Sequence, residues 1–100
     1  MAKLTEKTAN GTSFHNSTIN ATVEDLVRVL GQAQYQSNDG DDKVNFEWTC
    51  ETNNGDVFTI YDWKEYRSIE TDEDIEWHIG GDSSAITSEA AREVELLLTQ

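Results

Sequence analysis

Along residues 43–51 apolar and polar side chains alternate: Val44, Phe46, Trp48 and Cys50 sit between Lys43, Asn45, Glu47, Thr49 and Glu51. A period of two sends successive side chains to opposite faces of an extended chain, so a half-buried strand is predicted here. Asn53-Asn54-Gly55-Asp56 follows, and Asn-Gly is a strong signal for a two-residue hairpin turn with positive φ at both positions. A return strand is expected over residues 57–63. Closing the hairpin at Asn54-Gly55 pairs Thr52 with Val57, Cys50 with Thr59, Trp48 with Tyr61 and Phe46 with Trp63. One face would then gather Phe46, Trp48, Tyr61 and Trp63, leaving Phe58, Ile60 and Thr49 on the other. A slip of one residue would exchange every assignment.

Elsewhere the period changes. Val23, Leu26, Val27 and Leu30 follow i, i+3, i+4, i+7 spacing, the apolar stripe of a helix. Thr22 is placed to cap it, Asp25 answers three residues later, and Gly31 stands where a left-handed C-terminal cap belongs. Ala90, Ala91, Val94, Leu97 and Leu98 make a second stripe, predicting a helix over residues 88–98 with Thr87 as its cap and Ile86 as a hydrophobic staple. Ile75, Trp77 and Ile79 alternate with Glu76 and His78, predicting a strand broken by Gly80-Gly81. Phe14 and Ile19 suggest a short edge strand in residues 12–19. Residues 1–11 show no period and read as a flexible tail, leaving residues 12–100 as a single domain. The expected fold is α+β: a small antiparallel sheet of three or four strands, two helices packed on one face, and the order (β)-α-β-β-β-α.

Composition narrows the function. The hydrophobic fraction is 36%, below the usual share of about 45–50%, so the core is modest and leans on nine aromatic residues. Twenty acids against seven bases give a net charge of −13. Direct nucleic-acid binding needs Lys and Arg to displace counterions from phosphate, and an anionic membrane repels this chain, so both are set aside. A basic protein surface is the natural partner. Cys50 is the single cysteine, so no intrachain disulfide forms. The first residues lack the apolar stretch of a signal peptide, and cytoplasm is the expected location.

Candidate chemistry is sparse. No nucleophile motif, Gly-rich phosphate loop or zinc-binding spacing occurs, so no catalytic residue, metal or cofactor is assigned. Asp39-Gly40-Asp41-Asp42 begins like a calcium loop, but Lys43 takes a ligand position. The acidic runs, Asp39, Asp41 and Asp42 with Asp72, Glu73 and Asp74, read as interaction loops, with Tyr66 as an aromatic anchor. An alternative set, Trp63, Lys64, Arg67, Trp77, His78, Gly80 and Gly81, would stack a ring, meet phosphate and allow close approach.

Several segments resemble the layout of small bacteriophage-encoded orphan proteins: Gly11-Thr12-Ser13-Phe14, residues 26–31, Lys43-Val44 with Glu47-Trp48, residues 55–64 and residues 76–81. Ile60-Tyr61-Asp62-Trp63-Lys64 and Trp77-His78-Ile79-Gly80-Gly81 anchor the resemblance, which spans residues 11–98. It implies a phage setting, hence a host cytoplasm, and no particular activity. The expected role is a non-enzymatic accessory protein that inhibits or sequesters a host factor by docking acidic loops on its basic surface, as a nucleic-acid mimic would. The alternatives are a nucleotide or small-molecule sponge and an assembly protein that forms homodimers through its hairpin.

Overall fold

Two tryptophan indoles bracket the first helix and decide where it lies. The computed structural model describes residues 1–38 and 43–100. The elements among them are β1 Lys3–Leu4, β2 Ser13–Ala21, α1 Val23–Leu30, β3 Tyr35–Gln36, β4 Phe46–Glu51, β5 Val57–Tyr61, β6 Ile75–Gly81 and α2 Ser84–Leu98. Trp77 Nε1 donates to Ala21 O at 2.9 Å, where the chain enters α1, and Trp48 Nε1 donates to Gly31 O at 2.8 Å, where it leaves. The two rings meet edge to face with centroids 5.3 Å apart, a favoured aromatic geometry. Both side chains are fully buried, and each buried indole N–H has found its acceptor.

Thr22 and Gly31 bound α1 as the sequence predicts, but Gly31 has an extended ψ of −173° in place of a left-handed helical one, and the Asp25 carboxyl turns to Arg28 instead of answering Thr22. Thr22 Oγ1 accepts the Asp25 N–H at 3.0 Å, and Gly31, at φ 106°, donates its N–H to Val27 O. The second helix starts earlier than expected. Ser83, not Thr87, is its cap and accepts the Ile86 N–H, while Thr87 is buried within the helix.

The fold is α+β, with two helices and an antiparallel sheet in the order β1-β4-β5-β6-β2, β3 also pairing with β4. Six strands among the described residues exceed the three or four expected. The extra two are two-residue strands on the far edge of β4, too short for any periodicity to show. Lys3 and Leu4, inside the segment read as a tail, pair with Glu51 and Cys50, and Ala2 is buried. Gly80 and Gly81 do not break β6 but complete it opposite Phe14 and Ser13.

The central hairpin holds the main correction. Its loop has three residues, Asn53-Asn54-Gly55, closed by Thr52 N–H to Asp56 O and Gly55 N–H to Thr52 O, both 2.9 Å. Gly55 has a positive φ of 87° and Asn54 does not, so the turn is of the three-residue kind that ends in one left-handed residue. The register therefore moves by one: Glu51 faces Val57, Cys50 faces Phe58, Trp48 faces Ile60 and Glu47 faces Tyr61. The predicted gathering of Phe46, Trp48, Tyr61 and Trp63 on one face is overturned. Phe46, Trp48, Cys50, Phe58 and Ile60 line the core with Trp77 and Ile79, while Tyr61 and Trp63 lie on the opposite side.

Packing in the sheet is tight at one glycine. A Cβ on Gly80 would stand 2.6 Å from Thr59 Oγ1, closer than atoms can sit without something moving. Gly80→Ala is expected to lower unfolding free energy by about 1–3 kcal/mol, the usual cost of overpacking. Urea denaturation measures it, and an unchanged midpoint would mean that Thr59 simply rotates away.

Candidate functional site: the open face of the sheet

Helices cover one face of the sheet, and among the described residues none lies on the other, where Lys7 reaches Glu51 at one end. α2 lies against β2, β5 and β6, and α1 packs beside α2. Strand alternation sends every second side chain to the uncovered face. In register across it run Tyr35, Glu47, Tyr61, His78 and Thr18, with Thr49, Thr59, Gly80 and Phe14 in the next row.

Three rings, Phe14 from β2, Tyr61 from β5 and Trp63 just beyond it, converge on His78. Phe14 stacks on its imidazole with centroids 4.1 Å apart and planes 16° from parallel. Tyr61 meets it edge-on at 5.6 Å, and Trp63 is inclined 27° to it at 6.4 Å. Tyr61 and Trp63 also meet edge to face at 6.1 Å. Phe14 and Trp63 nonetheless remain about 40% exposed. Lys64 Nζ lies 5.5 Å and Lys43 Nζ 5.8 Å from the Trp63 ring centroid, within cation–π range.

Trp63 is presented by a loop with a rigid root. Asp62 is fully buried and accepts from the Asn45 N–H (2.8 Å), the Phe46 N–H (2.9 Å) and Asn45 Nδ2 (3.0 Å). Asn45 Nδ2 also donates to Arg67 O, and the Lys64 N–H donates to Lys43 O. Between these ties Lys64 and Tyr66 adopt φ of 57° and 51°, a region that costs a non-glycine residue about 1–2 kcal/mol. Such strain survives only where surrounding bonds over-determine it, and it often marks a place where side-chain placement matters.

The centre of this face favours neutral groups. Burial pushes the His78 pKa below its ordinary value, with Glu76 pulling weakly the other way. Burial raises the Tyr61 pKa, helped by neighbouring Glu47, and burial raises Glu47 itself. At neutral pH His78 is therefore an uncharged ring in an aromatic cluster. Lys43 and Lys64 supply positive charge at its edge.

The residues singled out from sequence are distributed unevenly over the molecule. Asp39, Asp41 and Asp42 lie outside the described residues. Asp72 and Asp74 are exposed, but Glu73 is engaged by both terminal guanidinium nitrogens of Arg67, Nη1 and Nη2, and Arg67 also contacts Glu65. Tyr66 is 54% exposed. Of the alternative set, Trp63, Lys64 and His78 come together. Trp77 is in the core, and a Cβ on Gly81 would run into Thr87 and Ile86 of α2, so both face away. Gly80 lies under Thr59 and leaves no recess. Sequence reasoning missed Phe14, Tyr61 and Lys43. A signal for Phe14 existed in its apolar character among the polar residues 12–18, but the β2 irregularity between Phe14 and Thr18 hid its partner.

Burial drives the Cys50 thiol pKa up to about 12, which keeps it protonated and unreactive. Among the described residues no three His, Cys, Asp or Glu side chains converge as metal ligands, and no helix is long and apolar enough to cross a membrane. The chain matches no family model, no curated protein and no solved structure.

Proposed function

We propose that this is a non-enzymatic binding protein that docks its open sheet face against a basic protein surface and sequesters that partner. The observation that carries the reading is the His78-centred ring cluster, left uncovered on a chain of net charge −13. Binding interfaces deplete charge at their centre, enrich aromatic residues there and keep a charged rim. Here Phe14, Tyr61, Trp63 and His78 supply the centre. The carboxylates on this face, Glu47 and Glu76, and the acid surplus of the whole chain steer a cationic partner toward it and discourage anionic competitors. In the phage setting that the resemblance implies, the partner is a host factor whose basic surface normally serves another ligand.

Ionic strength provides the test. Retention of a purified basic partner by the immobilised protein should fall about tenfold or more between roughly 50 mM and 500 mM salt, because steering charges are screened beyond a few ångströms at the higher value. Binding that is indifferent to salt would remove the acidic surface from the mechanism.

A second reading has one observation in its favour. Lys43 and Lys64 both approach the Trp63 ring, which would suit a planar anion such as a nucleotide. Quenching of Trp63 fluorescence by nucleotides, absent with basic proteins, would favour it over the first.

A further inference from the structure

Far from the ring cluster, α2 buries an acid that the docking surface does not use. Glu93 is 1% exposed. Its Oε1 accepts the Asn53 N–H at 2.9 Å, tying the β4–β5 turn to the helix. Its Oε2 is buried with no hydrogen-bond partner. A carboxylate oxygen removed from water without a donor loses its solvation and gains nothing in return.

The missing partner is one helical turn away. Glu89, at i−4 on the same face of α2, brings its carboxyl within hydrogen-bonding reach of Glu93. Two ionised carboxylates at that range repel, whereas a carboxylic acid beside a carboxylate makes a strong, short hydrogen bond. Arg92 selects which acid stays ionised, since its guanidinium holds both oxygens of Glu89. We propose that Glu93 retains its proton and donates it from Oε2 to the Glu89 carboxylate, so that the two acids share one proton and form a pH-operated latch between α2 and the β4–β5 turn.

The charged groups facing the pair fit this arrangement. Arg92 lies on α2, Asp56 comes from the turn, and the Met1 amine reaches Asn53 Oδ1 at 3.0 Å. All of them line one cavity of about 730 Å³ with Glu89 and Glu93. Burial raises the Glu93 pKa, and the hydrogen bond to Glu89 raises it further. Arg92 and then the Glu93 hydrogen bond bring Glu89 down to about 2.

The sign of the pH effect follows. For Glu93 the folded state binds more protons than the unfolded chain above the ordinary Glu value, so its contribution is complete below that value and is lost as pH rises through the raised one. Glu89 acts oppositely, its contribution being lost only as pH falls toward about 2. Rising pH therefore opens the latch. The Asn53 N–H favours ionised Glu93 but is outweighed by burial and by Glu89, so the charged carboxylate is pressed out of its site and its tie to the turn weakens, next to the Lys3–Glu51 pairing that holds β1.

Glu93→Gln tests the latch, because its amide keeps an acceptor for Asn53 and carries a permanent donor toward Glu89. The variant should melt above wild type at about pH 8, by on the order of 5 °C, and converge with it near about pH 4.5. In wild type the Asn53 amide proton resonance should titrate above the ordinary Glu range; in Glu93→Gln that titration should vanish. Glu89→Gln removes the neighbouring charge and should move the Asn53 titration toward acid. A flat Asn53 resonance in wild type, or parallel melting curves for wild type and Glu93→Gln from about pH 5 to 8, would overturn the proposal, as would an Asn53 titration unmoved by Glu89→Gln.

Discussion

Replacing Asp62 with Ala is expected to remove about 3–5 kcal/mol of stability, the largest loss predicted for any single substitution considered for this chain. The carboxylate is fully buried and accepts from the Asn45 N–H, the Phe46 N–H and Asn45 Nδ2. Alanine leaves the two backbone donors without an acceptor, at about 1–3 kcal/mol each, and weakens the Asn45 side chain's hold on Arg67 O. At roughly 4–8 °C per kcal/mol for a domain of this size, the melting temperature should fall by about 12 °C or more. The damage should extend to the site, because the strained residues Lys64 and Tyr66 depend on that root. Asp62→Asn, which keeps one acceptor oxygen, should lose less. Thermal melts of the two variants settle the matter, and a wild-type melting point for Asp62→Ala would mean that water replaces the carboxylate.

Trp63→Ala should leave stability within about 0.5 kcal/mol of wild type and still weaken partner binding by at least about 30-fold. The ring is 40% exposed and packs only on the open face, against Tyr61 and His78. Its removal therefore opens no cavity in the core. A partner would desolvate it together with Phe14, and anchors of this kind account for about 2 kcal/mol or more each. Phe14→Ala should show the same pattern, and the pair should combine non-additively because both rings touch His78. Leu96→Ala, on the exposed side of α2, serves as the control and should bind as wild type does. Calorimetric titration of the partner against the three variants reads this directly. Equal affinities for wild type and Trp63→Ala would move the docking surface elsewhere.

What could be read ahead of the structure was local. Thr22 and Gly31 bound α1 because a side-chain oxygen and a positive φ act within one helical turn. α2 was foreseen over its last eleven residues, yet its start was missed because Gly80-Gly81 looked like a break. Those glycines in fact sit within β6 because Thr59 and Thr87 crowd them from opposite sides of the strand. The strand pairing of β2 with β6 joins residues some sixty positions apart and passes through an irregularity with Asn16 at φ 70°. No local pattern encodes such a pairing.

Alternation along residues 46–51 was enough to make one strand with an apolar side, and the Asn-Gly turn was enough to predict a return strand. The acid surplus and the single cysteine were equally plain from the chain. Which residues share a face depended instead on whether the turn at Asn53-Asn54-Gly55 closes with two residues or three. That choice turns on Asn54 staying out of the left-handed region, where a one-residue difference carries Tyr61 and Trp63 from the core to the open face. A strand's period is a property of its own backbone, but its orientation is set by what packs against it. Here that is α2 on one side and, among the described residues, no helix on the other, where only the segment around Lys7 reaches the Glu51 end of the sheet.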